Sequence, residues 1–379
     1  MRNSHVAPER KTVGLLLVGG PHHILHLVPI AAALETYSHI DIDVFVATDS
    51  EAQACQSVLT ALNATRTQIR VLKTNALAKR ISLKLGFLLS HLKIWKNLDA
   101  LIVVERTSTI LRYFTRALPP FIHIPHGAGD RAKSYDRRIR HFDHVLVAGE
   151  KDKKRMIALG LVTHETCEVT GYIKPFAVKQ IHPTAPRVFE NTHPTVLYNP
   201  HFSKELSSWE GFGLDLLEAF SNTPEMNFIF APHIRLFANQ REDMRRRVEA
   251  FSKFKNIHID LGSPKSSDMS YTRAANIYLG DVSSQVYEFL AHPKPCIFIT
   301  KPETQWQGNP DYAHWSYGPV CHSVSNVMQA MNHAMPSLAN YAQAQTAGIL
   351  AAKGDPSWNP IRRAADTVKT ILGKPPLDP

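Results

Sequence analysis

The sequence predicts an α/β protein made of two Rossmann-like domains that face a central cleft, with a C-terminal helix that returns to the first domain. Three observations predict this fold class. Short apolar runs alternate along the chain with stretches of helical periodicity. A chain of 379 residues is long for a single hydrophobic core. A polar, Pro-containing stretch at 180–193 separates two similar halves. We therefore expect domains at 1–180 and 181–357, followed by the returning helix at 358–379.

The first half is predicted to alternate strands and helices as a doubly wound domain does. Its first strand is continuously apolar, which is typical of a strand buried on both faces. The following loop contains Gly19, Gly20 and two histidines but no complete G-x-G-x-x-G pattern, so it gives no indication of NAD. The predicted strands are 13–18, 42–47, 68–72, 98–105, a short strand ending at Pro125, 144–149, and a final strand with a turn in 168–175. The predicted helices are 25–34, 50–62, 107–118 and 150–159.

The second half repeats the same alternation beyond the linker. Its predicted strands are 195–200, 227–234, 257–261, 275–279 and 295–300, the last of these closing the sheet. A helical pattern at 359–372 is predicted to cross back onto the first domain. No repeat with a period of 20–50 residues accompanies the two halves.

Composition is typical of a folded protein of a reducing compartment. Hydrophobic residues make up 44% of the chain and charged residues 20%, which argues against extensive disorder. The four cysteines form no Cys-x-x-Cys pair, so neither a zinc site nor a disulfide framework is expected. The polar N-terminus shows no signal-peptide pattern, and no run reaches the roughly 20 apolar residues of a membrane span. These features predict a cytoplasmic protein.

The net charge of +10 indicates anionic partners: phosphates, nucleic acid or a lipid surface. Nucleic acid is disfavoured, because the basic residues are not interleaved with aromatic ones and no nucleic-acid module is recognisable. The segment 77–96 mixes lysines with leucines and a tryptophan. It is either an amphipathic segment that lies on an anionic membrane surface or a core-facing helix with a basic edge. The first alternative would place the protein peripherally on the inner face of the membrane.

Two histidines follow predicted strands directly. Pro125-His126-Gly127 ends the short strand of the first half, and Ala231-Pro232-His233 ends the second strand of the second half, with Arg235 just beyond. Ligands of α/β proteins bind outside the carboxyl ends of the strands. Glycine also lets the backbone approach a ligand closely. Both histidines are therefore candidate site residues, although a histidine after a strand can also simply hydrogen-bond a loop.

The segment 279–290 predicts a strand, a tight turn and the start of a helix. Gly280 and Asp281 form the turn, and the hydroxyls of Ser283 and Ser284 lie where a helix exposes unpaired N–H groups. Such a terminus can bind phosphate. Glu288, about one helical turn further on, could bind a ribose diol as acidic residues do in nucleotide-binding folds. The alternative is an ordinary helix cap, since Asp and Ser are favoured caps in any protein.

In this order, the four features Pro125-His126-Gly127, Ala231-Pro232-His233, Gly280-Asp-Val-Ser-Ser284 and Glu288 resemble the CDP-glycerol glycerophosphotransferase family, which includes the teichoic-acid polymerases. The resemblance covers roughly 13–298. The chain departs from the family in three places: Pro125 stands where the family commonly has Trp, Glu288 where it usually has Asp, and Gly280 where it has Ser. The resemblance implies the two-Rossmann architecture called GT-B.

The resemblance also implies roles for the site residues. His126 is the expected base, because imidazole titrates near neutrality. His233 and Arg235 are expected to contact phosphate, and Gly127, Gly280, Asp281, Ser283, Ser284 and Glu288 to bind the donor. CDP-glycerol is the expected donor, and a glycan or lipid-linked hydroxyl the acceptor. No carboxylate cluster suggests Mg²⁺, so the sequence predicts no metal and no cofactor. The alternative is a GT-B nucleotide-sugar glycosyltransferase of cell-envelope synthesis, with nucleotide-sugar epimerases a further confusion.

Overall fold

The computed structural model describes residues 9–74, 83–238 and 240–374. It divides the chain into two compact units. Unit 1 contains Met1–His126, Tyr135–Ile181 and Lys353–Pro379, and unit 2 contains Gly127–Ser134 and His182–Ala352. Each unit is built on a parallel sheet flanked by helices, which confirms the predicted α/β class with two Rossmann-like halves.

Unit 1 has a seven-stranded parallel sheet with the order β3-β2-β1-β4-β5-β6-β7. Its strands are β1 Lys11–Leu16, β2 Ile40–Val46, β3 Gln68–Val71, β4 Ala100–Val103, β5 Phe121–His123, β6 His144–Val147 and β7 Cys167–Val169. The central strands are apolar along their length because helices cover both faces of the sheet. The strand order reverses between β1 and β4, which is where such sheets bind ligands.

The helices of unit 1 mostly follow the predicted pattern. They are α1 Ile24–Leu34, α2 Asp49–Ala61, α3 Leu83–Ser90, α4 Leu92–Lys96, α5 Glu150–Ala158 and α6 Ile173–Ile181. Two expectations are wrong. The stretch 107–118 forms a 3₁₀ helix, Arg106–Tyr113, instead of an α-helix. The expected turn in 168–175 is instead the start of α6, because Pro175 falls in the first helical turn, where its missing N–H costs nothing.

The described part of the basic, apolar segment 77–96 consists of α3 and α4, and residues 77–82 lie outside the described residues. Phe87, Leu88 and Trp95 are each at most 2% exposed and belong to a hydrophobic core of unit 1. The indole N–H of Trp95 donates to the carbonyl of Leu88 at 2.8 Å. Of the two alternatives, the core-facing helix therefore holds for these side chains, since their apolar surface is already buried.

Unit 2 has a six-stranded parallel sheet with the order β10-β9-β8-β11-β12-β13. Its strands are β8 Thr195–Asn199, β9 Asn227–Phe230, β10 Ile257–Ile259, β11 Ile277–Gly280, β12 Cys296–Ile299 and β13 Val320–Cys321. The expectation that the strand at 295–300 is the last one is wrong. The two-residue β13 pairs with β12 and is too short to produce a periodic pattern.

The helices of unit 2 include two that the sequence analysis did not identify, near the end of the unit. The helices are α7 Trp209–Ser221, α8 Glu242–Glu249, α9 Ser270–Ala274, α10 Gln285–Phe289, α11 Val324–Asn332 and α12 Ala334–Lys353, of which α11 and α12 are the unexpected pair. Among the residues that the structure describes, no helix combines the length and apolar character needed to cross a membrane.

The C-terminal helix α13, Pro360–Leu372, belongs to unit 1 as the sequence predicted. The side chain of Asn359 accepts a hydrogen bond from the Arg362 N–H and so caps its first turn. Its buried face, which includes Ala364 and Val368, joins the same hydrophobic core as α1. The apolar periodicity of α13 therefore explains why the end of the chain returns to the first sheet.

Candidate functional site

The turn after β11 carries the two predicted serines. Gly280 ends β11 and lies beside Asn199 at the end of β8. The Ser283 hydroxyl donates to Asn199 Oδ1 at 3.0 Å and accepts from the N–H of Gln285 at 3.2 Å. Two neighbouring strands thus hold this turn by their carboxyl ends, at the edge where α/β sheets bind ligands. We call Ser283, Ser284 and their turn the serine turn.

A segment from the first half of the chain packs on the serine turn. Gly127–Ser134 belongs to unit 2, although it follows strand β5 of unit 1. Gly127 has φ +86°, and a Cβ on it would lie 3.3 Å from Ser284 Oγ. A Cβ on Gly129 would lie 3.1 Å from Ser284 Cβ. Both glycines are required here, because any side chain would crowd Ser284 and fill the space around its hydroxyl.

Asp130 fixes this segment from within unit 2. Its carboxylate, 3% exposed, accepts from the Tyr287 hydroxyl at 2.8 and 2.9 Å. His314 Nδ1 donates to the same carboxylate at 2.7 Å, and the His314 N–H does so at 3.2 Å. Burial and the Asp130 charge raise the pKa of Tyr287. The buried carboxylate is therefore satisfied on several sides, which stabilises the position of Gly127 and Gly129.

Asp281 has a different role from the predicted donor contact. It is 1% exposed, and its carboxylate accepts from the N–H of His201 at 2.9 and 3.1 Å. The N–H and hydroxyl of Ser208 donate to it at 2.7 and 3.0 Å. Burial raises the pKa of Asp281 to about 6 in spite of these bonds. Asp281 therefore joins three loops of unit 2, and its oxygens are occupied by protein groups rather than available to a ligand.

A group of aromatic and basic side chains lies near the ends of β8 and β9. His233 Nδ1 accepts from the N–H of Arg235 at 3.2 Å, and its ring lies 4.5 Å from that of Phe202. The Arg235 guanidinium lies 5.4 Å above the same Phe202 ring. Arg131 donates to His201 Nε2 at 3.3 Å. Arg235 is exposed and Phe202 is 38% exposed, so this group offers a planar surface and positive charge to a ligand.

Glu288 and the helix that carries it differ from the expectation in one respect. The helix α10 has only five residues, so its dipole is a small source of positive potential. Anion binding at the serine turn would depend instead on the hydroxyls, the local N–H groups and nearby basic side chains. Glu288 is 7% exposed, so its carboxylate is less accessible to a ribose than the pattern suggested.

Unit 1 gathers three histidines that the sequence analysis did not group. His22 and His23 end the short turn Pro21–His23 before α1, and His126 follows β5. One nitrogen of each ring lies within 4.8 Å of the others. The His23 ring is 4.0 Å from that of His22 and 5.0 Å from that of His126, between ring centroids. We call these residues the three-histidine cluster.

The protonation of the cluster is governed by burial. Desolvation, assisted by the charges of nearby histidines and Lys84, lowers the pKa of His23 to about 2. Burial also lowers the pKa of His126, against the opposing charge of Glu105. Glu105 Oε1 lies 3.6 Å from His23 Nε2, and Glu105 Oε2 lies 3.3 Å from Lys84 Nζ. Both imidazoles are therefore neutral near pH 7 and have a lone pair that can accept a proton.

Sequence spacing could not reveal the three-histidine cluster, because its members come from two loops about 100 residues apart. Two weaker signals were present. Both loops follow strands of the doubly wound pattern, and β1 lies two strands from β5 in the sheet. The loops of neighbouring parallel strands meet at one edge, so histidines in both had a chance of converging.

Comparison with known proteins supports the fold. No family model matches the chain, and no curated protein matches it. Three solved structures match along most of its length. They are the S. aureus MnaA–UDP complex (14% identity, 96% of this chain and 97% of that chain, TM-score 0.65), the Neisseria meningitidis UDP-GlcNAc 2-epimerase bound to UDP-GlcNAc (14%, 96% and 100%, 0.63) and a variant of the wall teichoic acid polymerase TagF soaked with CDPG (12%, 96% and 88%, 0.62). At these identities the likeness shows the GT-B-like fold alone.

Proposed function

We propose that this protein is a transferase that moves glycerol phosphate from CDP-glycerol to a hydroxyl of a glycan or lipid-linked acceptor. One observation carries the proposal: Gly127 and Gly129 leave open space at Ser284, and Gly127 is bonded directly to His126, whose imidazole is neutral. A phosphate-binding turn and a candidate base are thus linked by one peptide bond. The TagF variant soaked with CDPG, which has the same fold, supports this choice of donor.

In the proposed reaction, unit 2 binds the donor. Ser283, Ser284 and nearby N–H groups hold the diphosphate, while His233 and Arg235 donate to its oxygens. Phe202 offers an exposed ring next to Arg235 for the nucleotide base. Glu288 remains our candidate for the ribose. Asp281 is assigned no contact with the donor, because protein N–H and O–H groups already occupy it.

Unit 1 activates the acceptor in this proposal. His126 Nδ1 or Nε2 accepts the proton of the acceptor hydroxyl as its oxygen bonds to the phosphorus that bears glycerol. The bond between that phosphorus and the bridging oxygen breaks, and CMP leaves with the electron pair. The lowered pKa of His126 keeps the lone pair available at neutral pH. Its exposed side chain is accessible to an acceptor.

A nucleotide-sugar glycosyltransferase of cell-envelope synthesis is the second candidate. The serine turn recognises a diphosphate, not the group attached to it, and UDP-linked ligands occupy two of the similar structures. The test is calorimetric titration of the protein with CDP-glycerol, UDP-GlcNAc and CMP-linked sugars, followed by mass spectrometry of the products with candidate acceptors. Binding of CDP-glycerol with release of CMP supports the first proposal. Selective binding of UDP-GlcNAc, with UDP released or the sugar epimerised, would replace it.

We also propose that any membrane association is electrostatic. The apolar side chains of α3 and α4 are buried, whereas Lys93 and Lys96 are exposed on the basic edge of α4. Such lysines can contact anionic headgroups without inserting into the bilayer. A lipid-linked acceptor would then be reached by a peripheral protein at the inner face of the membrane.

A further inference from the structure

The three-histidine cluster contains a polar group that no protein atom satisfies. His23 is 1% exposed, and neither of its ring nitrogens has a hydrogen-bond partner. The nearest charged oxygen, Glu105 Oε1, is 3.6 Å away, beyond hydrogen-bonding distance. Buried side-chain nitrogens almost always have a partner in proteins, and an exception calls for an explanation such as a water or an ion. The unpartnered ring lies beside the nitrogens of His22 and His126.

We propose that His22, His23 and His126 form a binding site for a divalent transition-metal cation of the Zn²⁺ class. Neutral imidazole is a preferred ligand of Zn²⁺, Ni²⁺ and Cu²⁺, whereas Mg²⁺ and Ca²⁺ require oxygen ligands. Three protein nitrogens with one position left for water or a small ligand are typical of open zinc sites. The ion would also satisfy a nitrogen of His23.

The geometry requires a modest adjustment. Zn–N bonds of about 2.0–2.1 Å place the nitrogens of a tetrahedral site roughly 3.3 Å apart, whereas those of the cluster lie within 4.8 Å of one another. His23 is fixed by burial, but His22 is only partly buried and His126 is exposed. Rotation of these two side chains can close the gap. Glu105 is close enough to accept a hydrogen bond from the ring of a bound His23, as carboxylates commonly do for metal-bound histidines.

Neighbouring charges set the expected strength of binding. Lys84 acts on His23, and Lys174 and Arg106 act on His126, all with positive charge. Glu105 is the carboxylate next to the cluster, and Lys84 partly neutralises it. We therefore expect micromolar, reversible binding rather than a permanently held structural ion.

The consequence for activity rests on the proposed function. An imidazole that gives its lone pair to a cation cannot accept the proton of an acceptor hydroxyl. If His126 is the base, the same ion inhibits the transfer, and removing it with a chelator restores the rate. The site would thus be regulatory, and the transfer itself would need no metal.

The test uses the full chain without a histidine tag, freed of metal by chelator dialysis. Isothermal titration with Zn²⁺, and visible absorption with Co²⁺, measure affinity, stoichiometry and coordination. We expect one saturable site, weakened more than tenfold in His22→Ala and in His126→Ala. His164→Ala is the matched control, because His164 is exposed on the loop before β7 and outside the cluster; its affinity should equal that of the unchanged protein.

Two results would overturn the inference. One is the absence of saturable binding at millimolar metal, and the other is binding that neither cluster variant weakens, which would indicate scattered surface histidines. His23→Gln, which keeps a polar side chain, covers the case in which an alanine variant fails to fold. Metal binding is measured without turnover, so it can succeed while CDP-glycerol transfer fails. Conversely, transfer without metal binding would reject only the metal site.

Discussion

The two units both place histidines beyond the ends of parallel strands, yet they treat them in opposite ways. In unit 2, His314 donates to buried Asp130 at 2.7 Å, and His201 Nδ1 accepts from the N–H of Ser203 at 2.9 Å. In unit 1, His23 is buried with no hydrogen-bond partner on either nitrogen, and His126 is exposed. A ring with fixed partners has a fixed tautomer and serves as a brace. A neutral ring with a free lone pair can bind a proton or a cation.

The largest expected effect tests the reactive side of this comparison. His126→Ala should lower the rate at saturating donor by about 10²–10⁴-fold, the usual contribution of a general base. Donor affinity should barely change, since the base contacts the acceptor. Stopped rates of CMP release and calorimetric donor affinity measure the two quantities. If the variant loses donor affinity and keeps its saturated rate, His126 is a binding residue, and the base must be sought among His22, His23 and His26.

The next effect compares a braced histidine with an unpartnered one. His314→Leu breaks a buried pair and leaves Asp130 partly unsatisfied, which should lower the free energy of unfolding by about 3–5 kcal/mol. His314→Asn, with an amide N–H near the Nδ1 position, should recover part of this loss. His23→Leu removes no hydrogen bond and should change stability by less than about 1 kcal/mol. Urea unfolding of the three variants is the measurement, and equal losses at His314 and His23 would contradict the distinction.

The serine turn should show the binding character of unit 2. Replacing Ser283 and Ser284 together by alanine removes two hydroxyl donors to a charged diphosphate, each worth about 1.5–3 kcal/mol. We expect donor affinity to fall about tenfold or more, and His233→Ala to weaken the donor as well as slow the reaction. Calorimetry with CDP-glycerol measures this, and Ser357→Ala, at an exposed turn of unit 1, is the control. A slower rate with unchanged donor affinity would move the donor away from the serine turn.

The two units should also respond differently to acid. Burial lowers the pKa of His123 to about 3, so the unfolded chain binds a proton first as pH falls below 6.5. Unit 1 should then lose about 1.4 kcal/mol per pH unit until the pH nears 3. The pKa of Asp281 is raised to about 6, so its contribution has the opposite sign: unit 2 gains stability as pH falls from about 6 towards 3.8.

Peptide-resolved hydrogen exchange at pH 7.5 and 5.5, corrected for the intrinsic exchange rate, separates the two responses. Protection should fall in the peptides of β4 and β5, where His123 bonds to the Val103 carbonyl at 3.2 Å. His123→Gln should reduce the dependence on pH in unit 1 alone. An unchanged dependence in that variant would mean that other groups control the acid response.

The smallest effect concerns the surface charge of the two units. Lys93→Glu with Lys96→Glu in unit 1 should weaken binding to anionic vesicles by about 1 kcal/mol per lysine replaced. Arg246→Glu with Arg247→Glu on α8 of unit 2 is the matched control, because both arginines are exposed. Sedimentation with phosphatidylserine vesicles at low salt measures the difference. Equal losses in both double variants would indicate attraction by net charge without a docking face.

The sequence by itself determined the elements that depend on local periodicity. The apolar strands of both sheets, the helix that caps itself with Asn359, and the strand–turn–helix around Ser283 and Ser284 all follow from patterns a few residues long. Burial of continuous apolar runs permits little else in a parallel α/β sheet. The fold class could therefore be predicted, whereas element ends and the two-residue β13 could not, because they leave no periodic signal.

Only the tertiary structure decided which side chains meet and which are already occupied. It placed Gly127–Ser134 with unit 2, turned Asp281 into a brace, and brought His22 and His23 beside His126. It also buried the apolar face of α3 and α4, between two alternatives that the sequence left open. The physical reason is that hydrogen bonds, desolvation and ring contacts depend on distances in space, and residues about 100 positions apart carry no local pattern that fixes those distances.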